Sequence, residues 1–318
     1  MKELSKDVRG RNFTRVSEFI LTGLSDVPEF QLLIFIVFLI IYIITVLGNL
    51  SIICAYMLSA NLHTPMYFFL GHFSFLEICY ISINIPKMLA NSLAEQKTIS
   101  FHGCMVQVYT FGLCGGTECY VIAAMAYDRF VAICHPLLYS IIMRRTVNIR
   151  LIVGSYLVGS TNSLIHTVIT FTLPFCGPNR INHIFCDIPP ILQLACADTR
   201  MNQIVIFMTS VCVVVLSFIL IVISYSYIIA AIISLYSTSG RRKAFSTCSS
   251  HFTVVTIFYG SVMFMYLKPE SSSPSQDRLV AVMYTVIAPL LNPFIYSLRN
   301  NDVKRALIKM YHKLKLPS

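Results

Sequence analysis

The sequence predicts an all-α integral membrane fold: a seven-transmembrane helix bundle followed by a short amphipathic C-terminal helix. Three observations point there. Hydrophobic residues make up 56% of the chain and charged residues 12%, roughly half the charge fraction of an ordinary soluble domain. The mean hydropathy is +0.72. Apolar stretches long enough to cross a bilayer recur near 29–57, 65–91, 104–130, 147–168, 201–234, 245–268 and 278–298.

The net charge of +10 follows the loops rather than marking a nucleic-acid surface. Arg129, Arg144, Arg145, Arg150, Arg241, Arg242, Lys243 and the basic run from Arg299 to Lys315 share one side, opposed there by Asp128 and Asp302. Positive loops face the cytoplasm, so the C-terminus is expected inside and, across seven spans, the N-terminus outside. The N-terminal tail is basic too, with Lys2, Lys6, Arg9, Arg11 and Arg15 partly offset by Glu3, Asp7, Glu18 and Asp26. This divides the chain into an extracellular tail (1–28), a membrane domain (29–299) and a cytoplasmic helix and tail (300–318).

The first 25 or so residues lack the apolar core of a secretory signal, so the first span is expected to direct insertion. Asn12-Phe13-Thr14 is a glycosylation acceptor in the tail. Pro28 and Pro65 stand near the starts of the first two spans, where a missing N–H costs nothing. The third span ends in Met-Ala-Tyr-Asp-Arg-Phe-Val-Ala-Ile-Cys, residues 125–134. Its adjacent acid and base, Asp128 and Arg129, sit where apolar sequence meets water, a place where charge is rare and usually functional. Ser271–Ser275 with Pro274 is a short polar loop. After the last span, Val303, Ala306, Leu307, Met310, Tyr311 and Leu314 make one apolar helix face opposite Arg305 and lysines, which suits an anionic inner leaflet. There is no tryptophan, so Tyr and Phe must form any interfacial belt.

Eleven cysteines divide by location. Cys104, Cys176, Cys186 and Cys196 fall on the outer, oxidising side, where pairing is expected and three connectivities are open. A metal reading of His183, Cys186 and Asp187 competes with pairing. Cys54, Cys79, Cys114, Cys119, Cys134, Cys212 and Cys248 lie in or beside apolar spans and read as small packing residues. Two acids, Glu77 and Glu118, lie deepest in the spans. Two ionised carboxylates cannot sit close in low dielectric without a cation or a proton, so both a sodium ion and a shared proton stand as readings.

No inverted pair of broken helices and no 20–50-residue repeat supports a transporter or a solenoid. No G-x-S-x-G, H-E-x-x-H or Walker pattern supports an enzyme, and the Ser/Thr cluster at 246–250 lacks a base.

Several motifs, taken in order, resemble the olfactory receptor family of class A G-protein-coupled receptors. They are Gly48-Asn49, Leu62–Leu70 (LHTPMYFFL), the 125–134 run, Lys243–His251 (KAFSTCSSH), Phe258–Pro269 (FYGSVMFMYLKP) and Pro289–Asn300 (PLLNPFIYSLRN). The chain departs from the family pattern at Phe130, where tyrosine is usual, and at Glu77, where aspartate is commoner.

The resemblance implies disulfides Cys104–Cys186 and Cys176–Cys196. It implies a switch in which Asp128 restrains Arg129 at rest, Pro293 beside Asn292 forms a hinge, and Tyr225 meets Tyr296 in the active state. It also implies a ligand pocket in the outer half of the bundle. Val108, Phe111, Gly112, Gly115 and Gly116 would line it from the third span, and Ile206, Thr209, Ser210 and Val213 from the fifth. Tyr259, Val262, Met263 and Tyr266 would line it from the sixth, with Val282 and Thr285 from the seventh. The three glycines read equally well as open space or as close helix packing. The set is apolar and aromatic with a few hydroxyls, and Phe111 stands where amine receptors carry a carboxylate. A charged ligand would be unpaired there. A small neutral hydrophobic odorant fits, with alcohol, aldehyde, ketone and ester all open. The implied partners are a heterotrimeric stimulatory olfactory G protein acting through cyclic AMP, membrane lipids and a transport chaperone, in the plasma membrane. A class A receptor for a lipid or metabolite is the nearest rival reading.

Overall fold

Proline fixes φ near the helical value and lacks the N–H that a first turn leaves unpaired. Pro28 and Pro65 accordingly open the first two helices, after extended caps at Val27 and Thr64. The computed structural model describes residues 4–6, 12–14, 16–24, 27–176, 178–234, 248–249, 251–262, 278, 280–299 and 303–309. Five long helices are α1 (Pro28–Leu58), α2 (Pro65–Ser92), α3 (Phe101–Cys134), α5 (Arg145–Phe171) and α7 (Arg200–Ser234). Short α4 (Tyr139–Ile142) and α6 (Ile188–Leu192) lie in the connections. The sixth and seventh spans are α8 (His251–Val262) and α9 (Ala288–Arg299), the latter entered through a π-helical turn at Met283–Ile287. A further helical stretch, α10, covers 303–309.

The helices are apolar outward as well as inward. On α1, Leu33, Ile36, Ile40, Ile43, Leu47 and Leu50 form one exposed stripe, while Thr45, Asn49, Ile52 and Ala55 are buried. That inversion is stable only where the outer solvent is itself apolar. By length and composition α2, α7 and Phe30–Leu58 of α1 can each cross a membrane. α3 is the axis of the bundle: it packs on α2, α5 and α7, most extensively on α5.

The predicted tail acquires structure that the sequence reading did not foresee. β1 (Leu4–Lys6) pairs antiparallel with β2 (Asn12–Thr14). β3 (Glu18–Leu21) lies between β4 (Thr98–Ser100) and β5 (Arg180–Ile181), antiparallel to β4 and parallel to β5. Phe19 of β3, fully buried, meets Phe101 and Phe175 at ring-centroid distances of 6.0 and 5.7 Å. The N-terminal segment is thus stitched across the mouth of the bundle. Arg278 adds a tie, donating to the Gly23 carbonyl at 2.7 Å.

Candidate functional site

The sheet end of the bundle is closed by the connection between α5 and α7. Ser100 caps α3, accepting from Gly103 N–H at 3.0 Å, which sets Cys104 one turn inside. Cys104 bonds Cys186 and Cys176 bonds Cys196, with Cα atoms 5.5 and 5.6 Å apart. Gln107 reinforces the first crosslink: its Oε1 accepts from Cys186 N–H at 2.9 Å and its Nε2 donates to the Ile83 carbonyl at 3.0 Å. The metal reading of His183, Cys186 and Asp187 fails here, because the Cys186 sulfur is in a disulfide and Asp187 accepts from Ile188 N–H at 2.8 Å as the cap of α6.

Below the crosslink, Val108 is buried beside Cys104 and Cys186. Phe111 stacks on Tyr80 at 4.7 Å and approaches Phe185 at 5.2 Å and Tyr284 at 6.1 Å. Four elements therefore contribute rings to one aromatic wall. The glycines separate. A Cβ on Gly112 would lie 2.7 Å from Ser163 Oγ, and one on Gly116 3.1 Å from the Gly159 Cα, so both face α5. At these two the packing alternative applies and the expected open space does not exist. Gly115 turns to α2, with Tyr80 at 3.9 Å from an added Cβ.

On α7, Ser210 and Val213 are buried, with Ile206 and Thr209 half-buried. Thr209 is turned to α5, its hydroxyl 2.7 Å from His166 Nε2, so it bridges helices instead of facing a pocket. Tyr259 of α8 is almost fully buried and donates to Ser217 Oγ at 2.7 Å. Val262 and Val282 are half-buried. Thr285 is buried and donates back to the Ala281 carbonyl at 2.5 Å. Met263 and Tyr266 lie outside the described residues. Ser217 was missed in the sequence, although a signal existed: Ser210, Ser217 and Ser224 recur every seven residues in an otherwise apolar helix and are all buried, marking the inward face.

In the middle of the bundle Asn292 of α9 donates to Glu77 Oε1 of α2. Glu118 of α3 lies within electrostatic reach of Glu77. Both acids are at least 97% buried, being 2% and 3% exposed. Glu118 Oε1, Asn49 Oδ1 and Ser74 Oγ are buried without a hydrogen-bond partner.

At the end away from the sheet, Asp128 accepts from the Tyr139 hydroxyl of α4 at 2.8 Å. The Asp128 and Arg129 side chains make no ion-pair contact within 4.0 Å; between described residues the ion pair at that distance is Arg200 with Asp198. Neighbouring positions on a helix point roughly 100° apart, so the Asp128 carboxylate is directed at the connection, and the Arg129 charge acts both on it and on Tyr225, Cys248 and His251. Tyr225 pairs with a histidine of α8. Its hydroxyl lies 2.6 Å from His251 Nδ1, with the rings parallel within 9°. The Tyr296 side chain lies outside the described residues. Pro293 lies inside the continuous α9, and a Cβ on Gly48 would stand 3.1 Å from its ring, so the Gly48 position lets α1 close on the proline. Burial pushes the Tyr139 phenol well above its usual range, with the Asp128 charge adding to the effect. Tyr139 is therefore the donor of its pair at any physiological pH.

Comparison with known proteins matches these features to one family. The family model described as olfactory receptor covers residues 38–314. The chain is 52% identical to the olfactory receptor 5AP2 of Homo sapiens over 98% of both chains. It is 50% identical to the olfactory receptor 5AP2 of Mus musculus, covering 98% of this chain and 99% of that one, and 48% identical to the olfactory receptor 5G9 of Mus musculus, covering 96% and 98%. The doubly crosslinked loop, the family match and the near-full-length identity agree: the chain belongs to the olfactory receptor family, multi-pass G-protein-coupled receptors of the plasma membrane that are not enzymes.

Proposed function

We propose that the chain detects a small, largely neutral, hydrophobic volatile in the outer half of the bundle and activates a stimulatory olfactory-type G protein, raising cyclic AMP. The observation that carries this is the aromatic wall of Phe111, Tyr80, Phe185 and Tyr284 beneath the Cys104–Cys186 crosslink. It offers ring faces and no formal charge, so it favours apolar ligands with one or two hydrogen-bonding atoms. The sheet end faces outward in this reading. Disulfides there suit an oxidising compartment, and exposed Arg144, Arg145 and Arg150 at the other end suit the cytoplasm. Asn12 then lies outside, available to a glycan.

Signalling in this reading starts from a resting state in which Tyr139 holds Asp128 and Tyr225 holds His251. Activation moves α8 away from α7, opens the second pair and turns Arg129 to the G protein, with Pro293 as hinge. Glu77 and Glu118 share either a sodium ion or a proton. The orphaned acceptors Glu118 Oε1, Asn49 Oδ1 and Ser74 Oγ fit a hard cation in chemical type. If a sodium ion binds, Glu77 and Glu118 would hold it with Asn49, and its single charge would offset one carboxylate while the other keeps a proton. The test is cyclic AMP recorded against a panel of volatiles, with Arg129→Ala at matched surface expression. A dose-dependent response lost in the variant is expected; a response that survives Arg129→Ala would remove the switch assignment.

A further inference from the structure

A small cavity lies at the sheet end of the bundle, where β3, α1, α2 and the connection between α5 and α7 meet. About 20 Å³ of it is open to the centre of a water-sized sphere. One water needs about 10–15 Å³ by that measure, so the cavity takes a single water or a small ion and not an odorant. Leu21, Ile34, Met88 and Ile184 give it apolar walls, which weaken the screening of a charge inside.

The charged lining is positive, and the orphaned polar atom is a donor. Asn91 is 7% exposed, and its Nδ2 is buried without a hydrogen-bond partner. Lys97 lines the same cavity with an ammonium, a group that donates and never accepts. Its Nζ stands 3.2 Å from where a Cβ on Gly23 would be, so the glycine lets the ammonium close on the N-terminal segment. Arg278 brings a second cation to the same glycine, donating to its carbonyl at 2.7 Å. Among the described residues no acidic side chain lines the cavity, and Glu95 of the α2–β4 connection is exposed. A helix C-terminus ordinarily repels negative charge through its last carbonyls. Here the Met88, Ala90 and Asn91 carbonyls of α2 accept from the Ser92 hydroxyl and from the Leu93 and Ala94 N–H groups, at 2.9, 3.3 and 3.4 Å, which draws them into the cap.

We propose that this cavity binds one small monovalent anion, chloride in the simplest case, held by the Asn91 amide N–H and the Lys97 ammonium. A water would satisfy the Asn91 donor, but a neutral molecule gains less than an anion beside cationic side chains in apolar surroundings. The bound anion ties the end of α2 to the N-terminal segment and braces the mouth of the bundle.

The full-length receptor in detergent is melted across a chloride series, with gluconate replacing chloride at constant pH and ionic strength. A saturable rise in melting temperature is expected, because a ligand held only by the folded state stabilises it. Asn91→Ala and Lys97→Gln should each remove most of that rise. Arg180→Gln deletes an exposed charge at the same end of the molecule and should leave it intact. Asn91→Asp builds a carboxylate into the cavity and should melt near the chloride-saturated wild-type temperature whether or not chloride is present. Equal melting of the wild type in chloride and in gluconate would overturn the proposal and mean a buried water only. A chloride effect that survives both Asn91→Ala and Lys97→Gln would overturn it as well and mean general charge screening.

Discussion

Gly159 offers the sharpest test of how α3 and α5 pack. A Cβ there would lie 2.3 Å from Thr117 Oγ1, 2.7 Å from Thr117 N and 2.8 Å from the Leu113 carbonyl oxygen. Two of the three are backbone atoms, which no rotamer change moves. Thr117 Oγ1 is also held, donating to the Leu113 carbonyl at 2.7 Å. The helices must therefore separate, and a gap of about 0.5–1 Å forfeits about a quarter to a half of each dispersion contact along the seam. Overpacking of this kind costs about 1–3 kcal/mol, and the rigid neighbours put Gly159→Ala near the upper end. Removing a helix-interior glycine returns about 1 kcal/mol, leaving a net loss of about 2 kcal/mol. Gly154 is the internal control: it sits in the same helix with nothing within 4 Å of its virtual Cβ, so Gly154→Ala keeps the propensity gain without the clash. At about 2 °C per kcal/mol, melting of the detergent-solubilised receptor should fall by about 4 °C for the first and hold or rise by about 2 °C for the second. Equal shifts for the two alanines would refute the close approach of α5 to α3.

Other variants probe the polar contacts. Tyr139→Phe strands a buried carboxylate oxygen, a loss of about 1–3 kcal/mol, and should raise basal cyclic AMP while lowering thermal stability. Tyr225→Phe removes the partner of His251 and should likewise raise basal signalling, with surface expression measured alongside to exclude a folding defect. Tyr259→Phe and Ser217→Ala remove the two sides of one hydrogen bond, and their double-mutant cycle on thermal stability should show a coupling of about 0.5–1.5 kcal/mol. Phe111→Ala opens the aromatic wall and should shift the preferred ligands to larger molecules, read as a reordered odorant panel at unchanged surface expression.

The spans could be read from sequence because a bilayer demands about 20 apolar residues wherever a helix crosses, and that demand leaves a mark no local pairing can blur. The strap at Glu18–Leu21 could not. It is four residues long, and its pairing partners lie some 80 and 160 positions away, so no local pattern encodes it. Gly112 and Gly116 were ambiguous because a missing side chain is equally compatible with a void and with a neighbour. Only the position of Ser163 and Gly159 on α5 decides between them. The adjacency of Asp128 and Arg129 in sequence suggested an ion pair, yet consecutive helix residues diverge, and a tyrosine eleven positions on takes the carboxylate.

Helix three alone does not explain how an outer ligand reaches an inner switch. Phe111 and Arg129 are 18 positions apart on α3, about 27 Å along its axis, and a packed helix does not transmit a graded push. A two-state element is needed, and α8 has the required contacts. The Tyr259 hydroxyl lies 3.4 Å from the Cys119 carbonyl of α3, and two polar ties of α8 run to α7, Tyr259 with Ser217 and His251 with Tyr225. They lie eight positions apart on α8 and eight on α7, about 12 Å along each helix. Such matched spacing means one rigid displacement of α8 breaks both together. Two hydrogen bonds at about 0.5–1.5 kcal/mol each set a gap of about 1–3 kcal/mol between closed and open arrangements, the size of a typical allosteric coupling. A small odorant, with few atoms to contribute, can supply a difference of that order but not a much larger one. The closed state is thus held by ties weak enough for such a ligand to overcome. One tie lies near the proposed pocket and the other beside Arg129.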